Sequence, residues 1–449
     1  LMLIFATIIF ALYIPYLLQY SPGILSFDSA NEIGQAMGIE TLNDAHPLLH
    51  VLMVFIPMTI GKWLGDYNMG VALFSIMQMA IMSTVFAFTL VYMKNKGVPK
   101  IFIFLALAFF ALYPVNGLFS ITMWKDVIFA LSVLLLTICM YELITNTDTF
   151  ITSKKKNILL VLSLLAVMLF RHNGFYVAIL LIPFLFMIHR KYYKRLIVII
   201  LATLVIISGY KFVCYNIANI PKGNSVETIS VLVQQVARTV KYEYDTLSYE
   251  DKQEISKFFD VDKLGQLYDP YISDKVKGNF NNKYYDENKG EFFKLWFSLL
   301  LKYPTQFIEA FIYNNYGYWY PETWNFIVIK GFSSPDHPTL KELDIQSDGL
   351  IDSGIVSNLG EITEKRNIPI SSFMFSVGFS FWILVVFLGY NIYTRNTKNI
   401  LIFLPCILVW LTILASPVYC EYRYIYSLFV CIPLFISTIY ISKNKNTDT

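Results

Sequence analysis

The sequence predicts an all-α polytopic membrane protein: a bundle of about ten transmembrane helices, interfacial helices in the first external loop, and a mostly helical external subdomain. Three observations support this fold class. Hydrophobic residues make up 56% of the 449-residue chain and charged residues only 15%, against roughly 25% in a soluble domain. Apolar runs of nearly spanning length recur along the chain. One long polar stretch interrupts them between residues 216 and 370.

Ten apolar runs define the predicted spans. The first, 2–20, has no charged residue and is long enough to cross ~30 Å of hydrocarbon at ~1.5 Å per residue. No small-residue cleavage site follows it, so we expect a retained helix rather than a signal peptide. The absence of a basic flank before Leu1 indicates that a short N-terminal piece is missing. The other predicted spans are 69–92, 101–115, 126–143, 157–170, 174–188, 196–214, 371–391, 399–415 and 423–441.

The distribution of Lys and Arg predicts how the spans are oriented. Basic residues cluster in alternate connections, which the positive-inside rule assigns to the cytoplasm together with both termini. These clusters lie at 94–100, 154–156, 190–195, 395–398 and 443–445. The run 47–60 is bracketed by Pro47 and Pro57, and counting it as a span would break this pattern. It is therefore predicted to lie in the membrane interface.

Residues 216–370 form a predicted external subdomain. It separates an N-terminal membrane module of about seven spans, 1–215, from a C-terminal module of about three, 371–449. The stretch is too long for a structureless loop. Helical periodicity appears in VETISVLVQQVARTVKYE and EFFKLWFSLLLKYPTQFIEAFI. The five cysteines have no metal-binding spacing, so neither a disulfide framework nor a zinc site is expected; a Cys214–Cys420 bridge is the weaker alternative.

Polar and ionisable residues collect in the short loops that this topology places outside. Charged groups at a membrane boundary are costly, so a set gathered on one side favours a functional role. The first external loop, 21–68, contributes Asp28, Asn31, Glu32, Asp44, His46 and His50. The later loops contribute Lys125, Asp126, Arg171, His172, Asn173, Glu421, Tyr422 and Arg423.

The cationic and acidic residues near helix ends also have structural interpretations. Lys125 and Asp126 can form an adjacent interfacial ion pair, and Arg171 can extend to lipid headgroups. Glu421 and Arg423 can cap and orient the last helix. These alternatives stay open for each loop taken alone.

The first external loop has its own structural alternatives. Asp28 can cap a helix over SANEIGQAMG, because Asp is a favoured N-cap residue. His46 and His50, at i and i+4, share a helical face, and they can pack beneath the loop or bind a metal. Further along, the aromatic stretch YNNYGYWYPETW fits either an interfacial belt or a platform for sugar rings.

An external acid combined with cations at a membrane boundary predicts one kind of reaction. The carboxylate can take the proton of a hydroxyl, and Arg and Lys can hold a phosphate. An acceptor hydroxyl would then attack the anomeric carbon of a polyprenyl-phosphate sugar while the cations stabilise the leaving phosphate. No nucleotide is needed, and the sequence contains no P-loop, G-x-G-x-x-G or G-x-S-x-G pattern.

The segments SFDSANE, HPLLH, GDYNMGVALFSIMQM, MWKDVIFAL and RHNGFYV, in this order, resemble the C-type (GT-C) membrane glycosyltransferases. That superfamily includes the protein O-mannosyltransferases and the aminoarabinose transferases of lipid A. The resemblance is closer to an uncharacterised bacterial branch with PGIL…D, HP…H, R-x-N-G and YRY motifs. It covers most of the membrane part, but the external stretch only around YP…F…YWYP.

The resemblance implies a GT-C-like bundle and roles for individual residues. Asp28 would be the catalytic base and Asp126 a second catalytic acid. The predicted substrate-binding residues are Lys125, Arg171, His172, Asn173, Arg423, Glu421, Tyr422 and His46. Relatives often have a second acid beside the first, where this chain has Ser29. No cofactor is therefore assigned, and assistance by a divalent metal is left open.

The predicted function is sugar transfer from a polyprenyl-phosphate donor to a glycan, lipid or protein acceptor of the cell envelope. The site would face outward from a bacterial cell membrane, with membrane lipid but no nucleic acid among its partners. One alternative is a transporter or flippase for a lipid-linked glycan, which would need mid-membrane charges and related halves that the sequence lacks. Another is a ligase or polymerase of lipid-linked oligosaccharides, which would use similar residues.

Overall fold

The computed structural model describes residues 1–188, 190–363 and 373–446, and 76% of the chain is helical. Within these ranges the backbone forms isolated β-bridges but no strand. The helices of the first membrane part are α1 (Met2–Gln19), α2 (Ser29–Met37), α3 (Leu48–Leu64), α4 (Tyr67–Asn95), α5 (Lys100–Leu112), α6 (Pro114–Ser120), α7 (Lys125–Thr145), α8 (Thr147–Thr152), α9 (Lys154–Phe170), α10 (His172–Ile188) and α11 (Tyr193–Phe212).

The second half of the chain is also helical. The polar stretch contains α12 (Ser230–Glu243), α13 (Tyr249–Ser256), α14 (Val261–Leu267), α15 (Asp274–Gly278), α16 (Asn282–Glu287), α17 (Lys289–Lys302), α18 (Pro304–Asn315), α19 (Pro338–Glu342) and α20 (Gly354–Ile362). The C-terminal membrane part contains α21 (Val377–Tyr393), α22 (Leu404–Ala415) and α23 (Tyr422–Asn446).

Among the described residues, six helical segments are long and apolar enough to cross a membrane, or seven if α5 and α6, which meet at 50°, count as one bent span. The six are α1, α4, α7, α11 with its π-turn to Ile217, the segment Thr397–Ala415 that includes α22, and α23. The chain is therefore a multi-pass membrane protein. Each of the ten predicted runs lies on a helix, although 371–372 fall outside the described residues.

The larger number of ten spans stays a prediction because several helices are short. Of the predicted spans, α9, α10 and α21 have 17 residues each. At ~1.5 Å per residue such a helix extends about 25 Å, less than the ~30 Å of a typical hydrocarbon core. α3 also has 17 residues and packs against α2 and α4, and the structure leaves its interfacial placement untested.

α7 is the central helix of the membrane part. Of its apolar window 89% is buried, against 22% for α1 at the periphery. α7 packs against α9, α22 and α23, while α1 packs against α4. A side chain at the start of α7 is therefore held by the most enclosed element of the bundle. That first residue is Lys125.

The polar stretch forms a helical subdomain with its own core. As predicted, helices occupy both periodic segments: α12 the first, and α17 and α18 the second, where Pro304 begins a new helix. Their inward side chains pack together with Phe258, which follows α13, and include Val236, Phe292, Leu299 and Phe307. The predicted boundary at 370/371 lies outside the described residues. All five cysteines are buried thiols.

The turn between α9 and α10 depends on one close backbone approach. A Cβ atom on Gly174 would lie 1.8 Å from the carbonyl oxygen of Val167 and 3.1 Å from the Phe129 ring. We therefore expect Gly174→Ala to lower the melting temperature in detergent, since overpacking typically costs about 1–3 kcal/mol. Gly209→Ala, in α11 with no atom near its Cβ position, is the matched control and should cause no loss. An unchanged melting temperature for Gly174→Ala would contradict the close approach.

Candidate functional site

The backbone segment before Asp28 is held between two distant parts of the chain. On one side, Ile24 donates to the Ile121 carbonyl at 2.9 Å, and Met123 donates to the Ile24 carbonyl at 3.0 Å. On the other side, Leu25 donates to the Gly331 carbonyl at 3.1 Å. These contacts fix Asp28 beside the start of α7.

Side chains reinforce this position. The Trp124 indole donates to the Ser26 carbonyl at 2.9 Å, and the Ser29 hydroxyl donates to the Met123 carbonyl at 2.9 Å. Asp28 occupies the N-cap position of α2, but its carboxylate makes no capping hydrogen bond. Helix capping therefore does not account for the position of the Asp28 carboxylate, which contacts residues of other helices instead.

Asp28 contacts two cations that the sequence places far from it. Lys125 Nζ donates to Asp28 Oδ2 at 2.9 Å, and Arg423 Nη1 donates to the same oxygen at 3.4 Å. Burial favours the neutral acid, but the Lys125 ammonium and the Arg423 guanidinium outweigh it and hold the pKa of Asp28 well below its usual range. Asp28 is 30% exposed, against 15% for Lys125 and 10% for Arg423, so it is the most accessible of the three side chains.

A second layer of polar side chains lies behind Lys125. Its Nζ is 3.5 Å from Glu32 Oε1 and 3.1 Å from His46 Nδ1, while Glu32 Oε2 hydrogen-bonds His50 Nδ1. Glu32 and His50 are almost completely buried. Burial and the neighbouring Lys125 lower the pKa of His46. A neutral His46 that accepts from Lys125 at Nδ1 keeps its proton on Nε2.

Burial and charge act in opposite directions on Glu32. Desolvation raises its pKa, but the nearby His50 and Lys125 outweigh that effect and hold the pKa below its usual range. A carboxyl whose folded pKa is depressed stabilises the fold above its unfolded pKa, about 4.3 for Glu, and loses that contribution as pH falls through the folded value.

We therefore expect wild-type protein to lose thermal stability as pH falls from 7 towards 3, and Glu32→Gln to be less stable at pH 7 with a shallower acid loss. Melting temperatures across that range in detergent measure both effects. Glu250→Gln, at an exposed position of α13, is the control and should follow the wild-type curve. A Glu32→Gln curve parallel to wild type would contradict the stabilising role of this carboxylate.

Arg171 and Asp126 form a separate buried pair beside the first cluster. Arg171 Nη1 lies 2.7 Å from Asp126 Oδ1, and Asp126 is 1% exposed. The Arg171 guanidinium stacks 4.1 Å from the centroid of the Tyr424 ring, and the Arg423 guanidinium lies 5.2 Å from the same centroid. Arg171 and Arg423 thus contact the same aromatic ring. Asp126 pairs with Arg171 and not with Asp28.

Other predicted residues lie at or beyond the edge of the cluster. Glu421 Oε2 is 3.4 Å from Arg423 Nε, and burial raises the pKa of Glu421 despite the attraction of Arg423. His172 is 3.9 Å from Asp44 and half-exposed. Asn173 donates to Thr412 Oγ1 at 3.0 Å.

The structure does not bring Asn173 or Tyr422 to the cluster. The Asn173 amide is directed towards α22. The Tyr422 hydroxyl is 2.9 Å from that of Tyr113, and both side chains are buried inside the protein. Tyr422 directly precedes Arg423, and Asn173 comes two residues after Arg171. Side chains on a helix turn by ~100° per residue, so residues close in sequence face different directions.

Three residues of the site were not among the predicted catalytic or substrate-binding residues. Glu32 is four residues after Asp28, and this spacing on α2 already places the two carboxylates on one helical face. His50 was recognised as a partner of His46 in spacing but not as the partner of Glu32. Tyr424, between the two arginines, has no signal beyond its place in YRY.

An ammonium group fills the space between the possible metal ligands. Asp28, Glu32 and His46 all contact Lys125 Nζ. Across the described residues, no group of three or more His, Cys, Asp or Glu side chains is arranged to hold a metal ion. The donor set therefore fits a tethered cation, and Lys125 supplies that charge.

Four helix N-termini surround the cluster: those of α2, α7, α10 and α23. Contacts of Asp28 with Lys125 and Arg423, and of Asp126 with Arg171, join these four ends. Helix N-termini have partial positive charge and free N–H groups, which favour bound anions. The site thus combines one accessible carboxylate with several positive groups.

A family model described as "Family of unknown function (DUF6020)" matches residues 38–449. Because this match covers most of the chain, the protein belongs to that family. Asp28 and Glu32 precede the matched region. The region includes His46, Lys125, Arg171 and Arg423. No curated protein and no solved structure matches the chain.

Proposed function

We propose that this DUF6020 member transfers a sugar from a polyprenyl-phosphate donor to a hydroxyl of a cell-envelope acceptor on the extracytoplasmic face of the membrane. The observation that supports this proposal best is the contact of Asp28 with both Lys125 and Arg423. Those cations begin two long apolar helices, α7 and α23. A phosphate attached to a lipid would lie at such helix ends.

The proposed step exchanges one glycosidic bond for another. The acceptor oxygen forms a bond to the anomeric carbon while the bond from that carbon to the phosphate oxygen breaks. The hydroxyl proton passes to the Asp28 carboxylate, and the electron pair leaves with polyprenyl phosphate. Lys125 and Arg423 offset the charge that develops on this phosphate.

Donor binding prepares Asp28 for its role as base. Without the donor, the two cations hold its pKa low and make the carboxylate a weak base. A donor phosphate competes for Lys125 and Arg423 and adds negative charge nearby, and both effects raise the pKa of Asp28. The donor should therefore bind before the acceptor. Asp126 would position Arg171, whose stacking on Tyr424 supports the donor side of the site.

The test is an assay with purified full-length protein in liposomes, offered a panel of synthetic polyprenyl-phosphate sugars with labelled sugar groups and an extract of envelope acceptors. We expect loss of the labelled lipid, release of polyprenyl phosphate and covalent label in the acceptor. Movement of intact labelled lipid between leaflets without bond cleavage would instead favour a flippase. Transfer of a preassembled oligosaccharide only would favour a ligase.

A further inference from the structure

α17 and α18, which follow each other directly in the helical subdomain, each expose large apolar side chains. On α17, Phe293, Phe297 and Leu301 follow at i, i+4 and i+8 and are 45%, 55% and 68% exposed. On α18, Ile308 and Ile312 are 57% and 44% exposed. Residues four apart share a helical face. We call these five side chains the apolar face.

The apolar face is distinct from the core of the subdomain. The opposite side of α17 already buries Phe292, Leu295 and Leu299 among the other subdomain helices. α17 is therefore apolar on two sides, which is unusual for a helix at a water-facing surface. A contiguous exposed apolar surface of this kind indicates a binding surface for protein or membrane.

α18 links the apolar face directly to the membrane part. Phe307 packs in the core of the subdomain, whereas Phe311 packs against the membrane core. Ile308 and Ile312 each follow one of these residues. Beyond α18, the fully buried Tyr318 donates from its hydroxyl to the Val418 carbonyl.

Indole groups extend this connection to α21 and α22. Trp410 Nε1 donates to the Tyr318 carbonyl at 3.2 Å, and Trp382 Nε1 donates to the Trp319 carbonyl at 2.7 Å. From Ile312 to Tyr318 the chain advances by about 10 Å if helical. These contacts attach the end of α18, the helix that bears Ile308 and Ile312, to the membrane part.

The charge of α17 matches a lipid surface. The helix contains Lys289, Lys294 and Lys302 but one acid, Glu291, so its net charge is +2. Lys302 pairs with Asp251 and Lys289 with Asp286, both within the subdomain. Lys294 lies between Phe293 and Phe297 in sequence, and its long side chain can cover apolar surface and still reach headgroups. The other exposed helices of the subdomain differ: α13, with the sequence YEDKQEIS, is strongly polar.

We propose that α17 and α18 lie in the interface of the lipid bilayer, on the side of the membrane where Asp28 lies, with the apolar face at the boundary between headgroups and acyl chains. Amphipathic helices of this kind insert their apolar side by about 5–10 Å. The membrane would then support the subdomain from below and fix its height relative to the candidate site. This inference does not depend on the proposed function.

The test places nitroxide labels on the full-length protein in liposomes of phosphatidylethanolamine and phosphatidylglycerol. Each variant replaces one of Phe297, Leu301 and Ile308 with cysteine. Wild-type protein, whose own cysteines are buried, is treated with the same label to measure the signal from labelling of native cysteines. Tyr249→Cys, at a 76% exposed position of α13 in the same subdomain, is the matched control. Power saturation compares collisions with oxygen, which concentrates in lipid, and with a water-soluble nickel chelate.

We expect oxygen to dominate at positions 297, 301 and 308, and the nickel chelate to dominate at 249. Chelate access at 297 and 301 equal to that at 249 would overturn the proposal. Low access of both reagents, with spin–spin broadening that weakens on dilution with unlabelled protein, would overturn it in favour of a second copy on this face. Low access without broadening would mean that other parts of the same chain cover these positions, and that result would also overturn the proposal. Because the substituted side chains are exposed, the variants should keep the wild-type melting temperature.

Discussion

Asp28→Asn is expected to lower the rate of sugar transfer by about 10²- to 10⁴-fold, the range typical for loss of a general base. An amide cannot accept the hydroxyl proton, so the acceptor would attack as a poorer nucleophile. The substitution also removes the carboxylate shared by Lys125 and Arg423. Both cations then become available to the donor phosphate, and donor affinity should stay equal to wild type or increase.

This divergence separates a catalytic effect from a folding defect. Steady-state transfer gives the rate, and equilibrium binding of a non-transferable polyprenyl phosphate gives the affinity. Asp352→Asn, at an exposed position, is the matched control and should keep both values. Transfer by Asp28→Asn within a few fold of wild type would exclude Asp28 as the base. Loss of both transfer and lipid binding would show that Asp28 is needed for the structure of the site.

The convergence of Asp28, Lys125 and Arg423 could be predicted from the sequence because the predicted topology assigns all three to the same membrane boundary. The Lys and Arg clusters in alternate connections predicted which side of the membrane each loop faces, and the ends of the apolar runs predicted where the helices end. The three side chains then meet directly, as the predicted site required. The pattern of charge and hydropathy could not predict which side chains next to these three residues are directed towards the site.

Tertiary pairing explains the residues that sequence reasoning missed or misplaced. Glu32 contacts Lys125 only because the backbone before Asp28 is bridged to 121–123 and to 331–333, contacts between segments far apart in sequence. No local pattern predicts such isolated bridges. Asn173 and Tyr422 were predicted from their places in the R-x-N-G and YRY motifs, but in the structure their side chains contact Thr412 of α22 and Tyr113.

The number of transmembrane spans could also not be predicted fully from the sequence. Hydropathy located each apolar run, because burial in lipid requires a continuous apolar surface. It could not decide whether a 17-residue helix such as α10 or α21 crosses the bilayer, since tilt, local thinning and neighbouring helices decide that.

Arg423→Gln is expected to lower transfer by about 10²- to 10³-fold, the size usually seen when one donor to a developing anion is removed. The Arg423 guanidinium contacts Asp28 and lies over the rings of Trp124 and Tyr424, which fix its plane. Glutamine keeps a hydrogen-bond donor but not the charge. Arg423→Lys keeps the positive charge but lacks the planar guanidinium, so its activity should fall between those of wild type and Arg423→Gln.

The pH profile of transfer gives a readout that lost folding would not produce. With Arg423 removed, one of the two cations that lower the pKa of Asp28 is gone, so that pKa rises and the carboxylate is protonated at higher pH. The acid limb of the kcat/KM profile should therefore shift to higher pH in Arg423→Gln. Arg195→Gln, at the start of α11 where its guanidinium donates to the Ile151 carbonyl, is the matched control and should keep the wild-type profile. An acid limb that stays in place while activity falls would mean that Arg423 acts apart from Asp28, and the coupling of base and phosphate-binding cation would have to be abandoned.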